Sequence, residues 1–187
     1  HGSIMVWSDD AELSPWIDGA RVAGTLPTDN VDATVVGVFF RDSSSSKIDY
    51  YMDSTVGVAA ACGEGGGTFA VDVRLHLDLT TEQAEALPNY VAFSRSLQTG
   101  FHTQVIVYGP PGTTVAGATF GAREAQVIST ETDDLGRPVA VVETVLNPGE
   151  EATVHVSFTG AGTFGPLDTR VTPMIRPTEV SEEDGCR

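Results

Sequence analysis

Basic residues are scarce in this chain of 187 residues. Lys and Arg together number 10 against 26 Asp and Glu, which gives a formal net charge of −16, and Lys47 is the only lysine. Because nucleic-acid affinity comes largely from Lys and Arg side chains that neutralise phosphates, this balance argues against a nucleic-acid partner. The same negative excess argues against docking on anionic lipid surfaces.

Long hydrophobic runs are also absent. No stretch approaches the roughly 20 apolar residues that a membrane-spanning helix needs, so we expect no membrane insertion by this segment. The first residues lack the basic region of a signal peptide and lead directly into an apolar run at 4–7. We therefore read the chain as an excised or processed piece of a longer protein. Its lack of a targeting signal then carries no information about where the parent protein lies.

The two cysteines, Cys62 and Cys186, belong to no CxxC motif and have no histidine at ligand spacing, so they do not predict a zinc site. Two readings remain open. The cysteines are either unrelated buried thiols or a disulfide that ties down the C-terminal tail, and we favour the disulfide. In the chain-entropy model, a bridge closing so long a loop stabilises the fold by roughly 4–5 kcal/mol. It would also indicate an oxidising, extracytoplasmic compartment.

Alternating apolar residues are the strongest secondary-structure signal. In the clearest run, Val71, Val73, Leu75, Leu77 and Leu79 alternate with polar residues, the pattern of a strand with one buried face. A capping-box pattern at Thr80 and Gln83 predicts a short helix over 82–87, and a second short helix is predicted at 11–17. Further strands, bounded by Gly, Pro, Asn or Asp, are predicted at 4–7, 36–41, 47–52, 55–61, 101–108, 126–132, 139–146, 153–158 and 169–175.

Such closely spaced strands predict an all-β fold, an immunoglobulin-like antiparallel β-sandwich with one or two short helices. The segment 145–158, a strand, a Pro-Gly turn and a second strand, is typical of immunoglobulin-like modules in exported bacterial proteins. We divide the chain into an N-terminal strand and short-helix appendage (1–30), the sandwich (31–177) and an acidic tail (178–187). The disulfide, if formed, would tie this tail to the sandwich.

Motifs of nucleophilic catalysis and phosphate binding are missing from the sequence, which has no Gly-x-Ser-x-Gly elbow and no Gly-rich loop with a lysine. We interpret the acidic clusters at 9–12, 131–134 and 182–184, together with His76, His102 and His155, as solvated surface. We therefore assign no catalytic residue, no metal site and no cofactor. Trp7 and Trp16 could form a carbohydrate platform, although a tryptophan near the terminus of a sandwich is more often packed.

The best candidate binding residues are Lys47, Asp49, Tyr50 and Tyr51. On the strand predicted at 47–52, Lys47, Asp49 and Tyr51 would share one face and Tyr50 would lie on the other. A lysine, a carboxylate and a phenol in one row could bind a sugar or a peptide by hydrogen bonding and ring stacking. The alternative is a Lys–Asp pair and a half-buried tyrosine that hold two strands in register.

Several segments together resemble an actinobacterial family known only as domain of unknown function 4012. They are Met5 to Ser8, "GARVAGTLP" at 19–27, "SKIDYY" at 46–51, Cys62 before a Gly-rich turn, "VIVYGPPG" at 105–112 and "VLNPGE" at 145–150. The resemblance implies a longer parent protein with an N-terminal membrane anchor and its bulk outside the cell. This chain would be its C-terminal portion. The family supplies no established activity and no catalytic residues.

From these observations we expect a non-catalytic extracytoplasmic module of a cell-envelope protein that mediates attachment or assembly. Its partner would be a cell-wall glycan or another envelope protein. The alternative is a carbohydrate-binding accessory domain, or a carbohydrate-active enzyme, that uses the face formed by Lys47, Asp49 and Tyr51. A third reading is a structural spacer that binds no ligand.

Overall fold

The computed structural model of the chain describes residues 4–18, 20–92, 100–121, 123–124, 127–129 and 135–186. Two short α-helices are present, α1 (Ser14–Ile17) and α2 (Thr81–Ala86), together with 3-10 turns at Arg21–Ala23 and Ile48–Tyr51. The strands are β1 (Thr34–Asp42), β2 (Met52–Gly63), β3 (Gly66–Leu77), β4 (Phe101–Tyr108), β5 (Thr113–Phe120), β6 (Arg123–Glu124), β7 (Val127–Ser129), β8 (Val139–Leu146), β9 (Glu151–Ala161), β10 (Leu167–Val171) and β11 (Glu179–Gly185).

These strands form two sheets that pack face to face, which confirms the all-β sandwich with short helices. The five-stranded sheet has the order β10-β1-β4-β8-β7, and the six-stranded sheet has the order β11-β2-β3-β9-β5-β6. The expectation of a wholly antiparallel sandwich is wrong at two pairs, because β1 runs parallel to β10 and β2 runs parallel to β11. Both parallel strands follow β9 and reach their sheet edges by connections that cross between the sheets, where a hairpin would give antiparallel pairing.

The core lies between the sheets and consists of the alternate residues that the sequence pattern marks as apolar. On β3, Phe69, Val71, Val73, Leu75 and Leu77 are all buried, and burying each such side chain stabilises the fold by roughly 1.5–3 kcal/mol. Other strands of the two sheets contribute Val36, Val38, Val56, Val58, Phe101, Val105, Val107, Val142, Leu146, Val154, Val156 and Phe158. The other alternate residues of each strand point to the outer faces of the sheets, where functional side chains would be accessible.

Helix α2 begins where the capping box predicted. Gln83 N donates to Thr80 Oγ1 at 3.2 Å, and Thr80 N donates to Gln83 Oε1 at 2.8 Å. This reciprocal pair satisfies two backbone donors that the first turn leaves without helical partners. The capping box fixes the chain just after β3. His76 lies near the end of this strand, and Asp78 follows directly after it.

The two terminal segments differ from their predicted structures. Residues 4–7 do not form a strand, although Val6 N donates to Val22 O at 2.9 Å. Asp10 Oδ1 accepts from Glu12 N and Leu13 N, and these bonds hold the turn that leads into helix α1. At the other end, the region read as an aperiodic acidic tail contains β11, so the sandwich extends to Gly185.

A buried arginine ties the segment before β1 to the start of β8. Arg137 has no solvent exposure, and its Nη1 donates to Pro27 O at 2.6 Å while its Nη2 donates to Val35 O. Because burying a guanidinium is costly unless it is hydrogen-bonded, the bonds to these two carbonyls offset part of that cost and hold Arg137 in place. None of the helices within the described parts of the chain is long and apolar enough to cross a membrane.

Candidate functional site

The segment predicted as a strand at 47–52 is a loop followed by a 3-10 turn, so that prediction is wrong. Asp42 accepts hydrogen bonds from Ser44 N at 2.6 Å, from Ser46 N at 3.0 Å and from Ser46 Oγ at 2.9 Å. Such local side-chain bonds compete with strand pairing and favour a compact turn. Ile48 is then buried as the first residue of the 3-10 turn, and β2 begins at Met52.

Lys47 lies on the outside of this loop, over an aromatic ring. Its Nζ is 5.5 Å from the ring centroid of Tyr90, and its backbone N donates to Val91 O at 2.9 Å. A lysine at this distance makes a cation–π contact. Tyr90 is not predictable as a site residue, because a single tyrosine in an irregular segment after Pro88 belongs to no pattern that indicates binding.

Asp49 and Tyr50 complete a surface that we call the loop corner, consisting of Lys47, Asp49, Tyr50 and Tyr90. Tyr50 is 54% exposed and Tyr90 is 69% exposed. Asp49 is half-buried, and its Oδ1 has no hydrogen-bond partner among the residues that the structure describes. Burial, followed by the neighbouring carboxylate of Asp42, raises the pKa of Asp49 above its ordinary value.

The face expected from Lys47, Asp49 and Tyr51 therefore does not form. Tyr51 is partly buried against the core, and its ring meets the Tyr50 ring edge-on, with centroids 5.0 Å apart. Within the described part of the chain Lys47 and Asp49 form no ion pair, so the Lys–Asp alternative is wrong as well. What the loop corner offers is two exposed phenol rings with one ammonium group, which suits stacking on a sugar ring.

The three strand histidines lie on the outer faces with 36–41% of their side-chain surface exposed, and each also lies beside a carboxylate. His102 Nδ1 is 2.9 Å from Glu143 Oε1, and His155 Nδ1 is 2.9 Å from Asp72 Oδ1. His76 Nδ1 is 3.8 Å from Asp53 Oδ2. His76 and His155 lie on neighbouring strands but do not meet, because His76 is opposite Glu151 and His155 is opposite Asp72.

Glu143 is the centre of a small hydrogen-bonded group on the outer face of the five-stranded sheet. Partial burial alone would raise its pKa, but hydrogen bonds from Gln104, His102 and Ser43 outweigh that effect and lower the pKa below its ordinary value. Ser43 Oγ donates to Glu143 Oε1 at 3.1 Å and not to the imidazole. The arrangement therefore stabilises a carboxylate and does not activate the serine as a nucleophile.

One cluster contains enough ligand atoms to hold a metal ion. A carboxylate oxygen of Asp53, a carboxylate oxygen of Asp78 and a ring nitrogen of His76 all lie within 4.8 Å of one another. Arg176 Nη1 donates to Asp53 Oδ1 at 2.9 Å and to Asp78 Oδ2 at 2.8 Å. The sequence does not predict this cluster, because the cross-strand pairing of Asp53 with His76 depends on the register of β2 against β3.

The disulfide expected between Cys62 and Cys186 is present, with Cα atoms 4.7 Å apart. Cys62 lies near the end of β2, and Cys186 follows the last residue of β11. Because β2 and β11 are parallel neighbours, the bridge joins adjacent strands at the same end of the six-stranded sheet. It covalently ties β11, a strand that the sequence pattern did not predict, to β2.

The two tryptophans are on the surface, which contradicts the expectation that they pack into the sandwich. Trp7 is 82% exposed and Trp16 is 83% exposed. Ile4, Met5 and Leu13 are exposed on the same N-terminal segment. The acidic cluster at 9–12 lies between these residues, whereas Glu131, Asp133 and Asp134 lie outside the described residues.

No family model and no curated protein matches this chain. Among solved structures, it is similar to an M1 zinc metallopeptidase from Deinococcus radiodurans, with 12% identity and a TM-score of 0.29. The same values apply to a mutant of that enzyme bound to a Tyr-Ser-Ala substrate. Each match covers 70% of this chain and 20% of the other, so the chain spans about a fifth of their length.

Proposed function

We propose that this chain is a non-catalytic extracytoplasmic module of a cell-envelope protein and that it mediates attachment or assembly. The observation that carries this proposal is the disulfide between Cys62 and Cys186. Structural disulfides persist in oxidising compartments and are rare where glutathione and thioredoxin keep thiols reduced. The resemblance to an anchored envelope family supports the same compartment.

Attachment is supported by what the surface displays. Exposed aromatic rings occur at two places, the loop corner with Tyr50 and Tyr90 and the N-terminal segment with Trp7 and Trp16. Exposed tyrosine and tryptophan rings provide large contact areas with few rotamers to restrict, which makes them favoured contact residues. The partner we propose is a cell-wall glycan or another envelope protein.

Co-sedimentation of the purified, disulfide-intact chain with an actinobacterial cell-wall preparation tests this proposal. Run at low and at high salt, it should show salt-resistant pelleting, because a net charge of −16 leaves little electrostatic attraction to an anionic wall. Retention of the chain in the supernatant at both salt concentrations would exclude the wall as its ligand. Envelope proteins would then be tested as partners, and a structural spacer that binds no ligand would become the favoured alternative.

A second candidate is carbohydrate binding at the loop corner, favoured by the two exposed tyrosines beside Lys47. If the corner holds a sugar, Tyr90→Ala should abolish pelleting, since it removes both the stacking ring and the support for Lys47. Ile175→Ala is the control, an apolar truncation at a residue that is 72% exposed and lies outside both aromatic surfaces. Trp16→Ala should lower pelleting only if the N-terminal segment binds the wall. Asp49→Asn separates the readings further, because it should keep the fold in every case and weaken pelleting only if the corner binds the ligand.

A further inference from the structure

Three potential metal ligands converge at one end of the six-stranded sheet. Asp53 on β2 and His76 on β3 are direct cross-strand partners, so the sheet itself sets their separation. Asp78 follows His76 by two positions, and its backbone N donates to Tyr51 O at 3.0 Å, which extends the strand pairing past Leu77. The capping box of α2 begins at Thr80 and secures the chain immediately beyond. All three side chains therefore stand on hydrogen-bonded backbone.

The spacing of the ligand atoms suits a small dication. Asp53 Oδ2 is 3.8 Å from His76 Nδ1, and each of the three residues has a ligand atom within 4.8 Å of the others. Ligands about 2.0–2.1 Å from a tetrahedral Zn²⁺ are separated by about 3.3 Å. Side-chain adjustments of up to about 1.5 Å therefore bring the three atoms to coordinating distance, and the rotamers of half-exposed side chains supply them.

Arg176 supports this geometry from outside the ligand set. It binds Oδ1 of Asp53 and Oδ2 of Asp78, while Asp53 Oδ2 faces the imidazole. Carboxylates that bind metals are commonly oriented by such outer hydrogen bonds. Two carboxylates and one guanidinium leave the cluster with a net negative charge when His76 is neutral.

The neighbouring groups do not offer an equivalent site. Glu151 lies opposite His76 on β9, but its carboxylate pairs with Arg74. His155 and His102 each have a single close carboxylate, Asp72 and Glu143 respectively. Among the described residues, the cluster of Asp53, His76 and Asp78 is the one group of three such ligands.

We propose that Asp53, His76 and Asp78 form a binding site for a divalent transition-metal ion, with Zn²⁺ as the best-suited ion. One imidazole and two carboxylates match the nitrogen and oxygen ligands of zinc, and a fourth position open to solvent accepts water. Ca²⁺ is a poorer match because it takes 6–8 oxygen ligands. This site is independent of the attachment function proposed above and extends beyond it.

Isothermal titration of the full, disulfide-intact chain with ZnCl₂ in a non-chelating buffer tests the proposal. Because His1 can chelate metal through its own amino group and imidazole whatever the fold, the titration uses a His1→Ala background. We expect one saturable site. His76→Gln and Asp78→Asn should each weaken it by more than about 10–100-fold, the loss typical of removing only a residue that orients a metal ligand. Circular dichroism confirms that each variant keeps the fold.

His155→Gln is the matched control, since it removes a histidine with one carboxylate partner from the same outer face. It should leave the Zn²⁺ affinity unchanged. Substitution of Co²⁺ provides a second readout, because its visible absorption should appear in the His1→Ala chain and disappear with His76→Gln. The proposal is overturned by the absence of saturable binding, by an unchanged Zn²⁺ affinity in His76→Gln, or by equal losses of affinity in His76→Gln and His155→Gln.

Discussion

Cys62 and Cys186 are 124 positions apart in the chain, yet their disulfide joins two strands that lie side by side in one sheet. Strand β11 has almost no buried side chains, so its backbone hydrogen bonds to β2 have little hydrophobic packing to support them. Ser54 Oγ and Thr178 Oγ1, 2.7 Å apart, hold the chain just before β11, and the disulfide holds it just after. The strand is fixed at both ends.

The first prediction concerns this disulfide. Replacing both cysteines by serine should lower the free energy of unfolding by about 2–5 kcal/mol, because the open chain regains entropy and β11 loses its tether. Hydrogen exchange of the amides at 179–185 should accelerate, while the amides of β9 keep their protection. Unchanged protection of β11 in the double variant would show that its backbone pairing alone suffices.

The second prediction concerns Asp49. Because burial and Asp42 raise its pKa, the folded state binds the Asp49 proton more tightly than the unfolded state, where the ordinary value is 3.8. The ionised carboxylate therefore destabilises the fold at neutral pH, and this cost fades as the pH falls through the raised pKa toward 3.8. Asp49→Asn should stabilise the protein by about 1 kcal/mol at pH 7.

Thermal unfolding between pH 3 and 8 measures the effect. The difference between Asp49→Asn and the parent chain should be largest at neutral pH and vanish near pH 3. Ser45→Gly serves as the control, since it alters the same loop at a residue with a φ of 59°, where glycine is favoured, and no carboxylate among the described residues bonds to the Ser45 side chain. It should change stability equally at every pH. A stabilisation by Asp49→Asn that does not depend on pH would contradict the assignment.

The third prediction concerns Arg137. Arg137→Met keeps the aliphatic length but removes the hydrogen bonds to Pro27 O and Val35 O, leaving two carbonyl groups unsatisfied. We expect a loss of about 3 kcal/mol in the free energy of unfolding, measured by urea denaturation. Arg41→Met is the comparison, an exposed arginine on β1 whose replacement should change stability by less than about 0.5 kcal/mol. Equal effects of the two substitutions would refute the anchoring role of Arg137.

The fourth prediction concerns Asp78. A hydrogen bond from Arg176 lowers its pKa, so the stability it contributes is present above the ordinary value of 3.8 and lost as the pH falls through the lowered pKa. Arg176→Gln should move the titration midpoint of the Asp78 carboxyl upward in carbon-detected NMR. Glu150, whose pKa is lowered by the backbone and side chain of Asn147, should titrate identically in both proteins. An unmoved midpoint for Asp78 would show that Arg176 is not its partner.

Much of the sandwich could be predicted because its strands carry their own signal. The apolar alternation from Val71 to Leu77 marks β3, and the predicted bounds of β4 and β8 coincide with the observed ones. Strand β5 gave no comparable signal, since its residues are mostly small and a bulge between Val115 and Gly117 interrupts the alternation. Strand β11 gave none because it forms by backbone pairing at an edge.

The candidate sites were harder to predict, for two physical reasons. The apparent alternation at Lys47, Asp49 and Tyr51 is overridden by local hydrogen bonds from the preceding serines to Asp42. The clusters around His76 and Glu143 depend on strand register, which places residues far apart in the chain opposite one another. Tyr90 could not be predicted for the same reason, because its position beside Lys47 depends on the course of the chain after α2.

The central claim, an extracytoplasmic module secured by its disulfide, is tested most directly by the thiol state of the protein in the cells that make it. Cells are quenched with acid and alkylated without reduction, and the peptides containing Cys62 and Cys186 are identified by mass spectrometry. The account predicts one disulfide-linked peptide pair and no alkylated cysteine. Recovery of both cysteines in alkylated form would contradict it, because the disulfide would then be absent from the protein inside the cell.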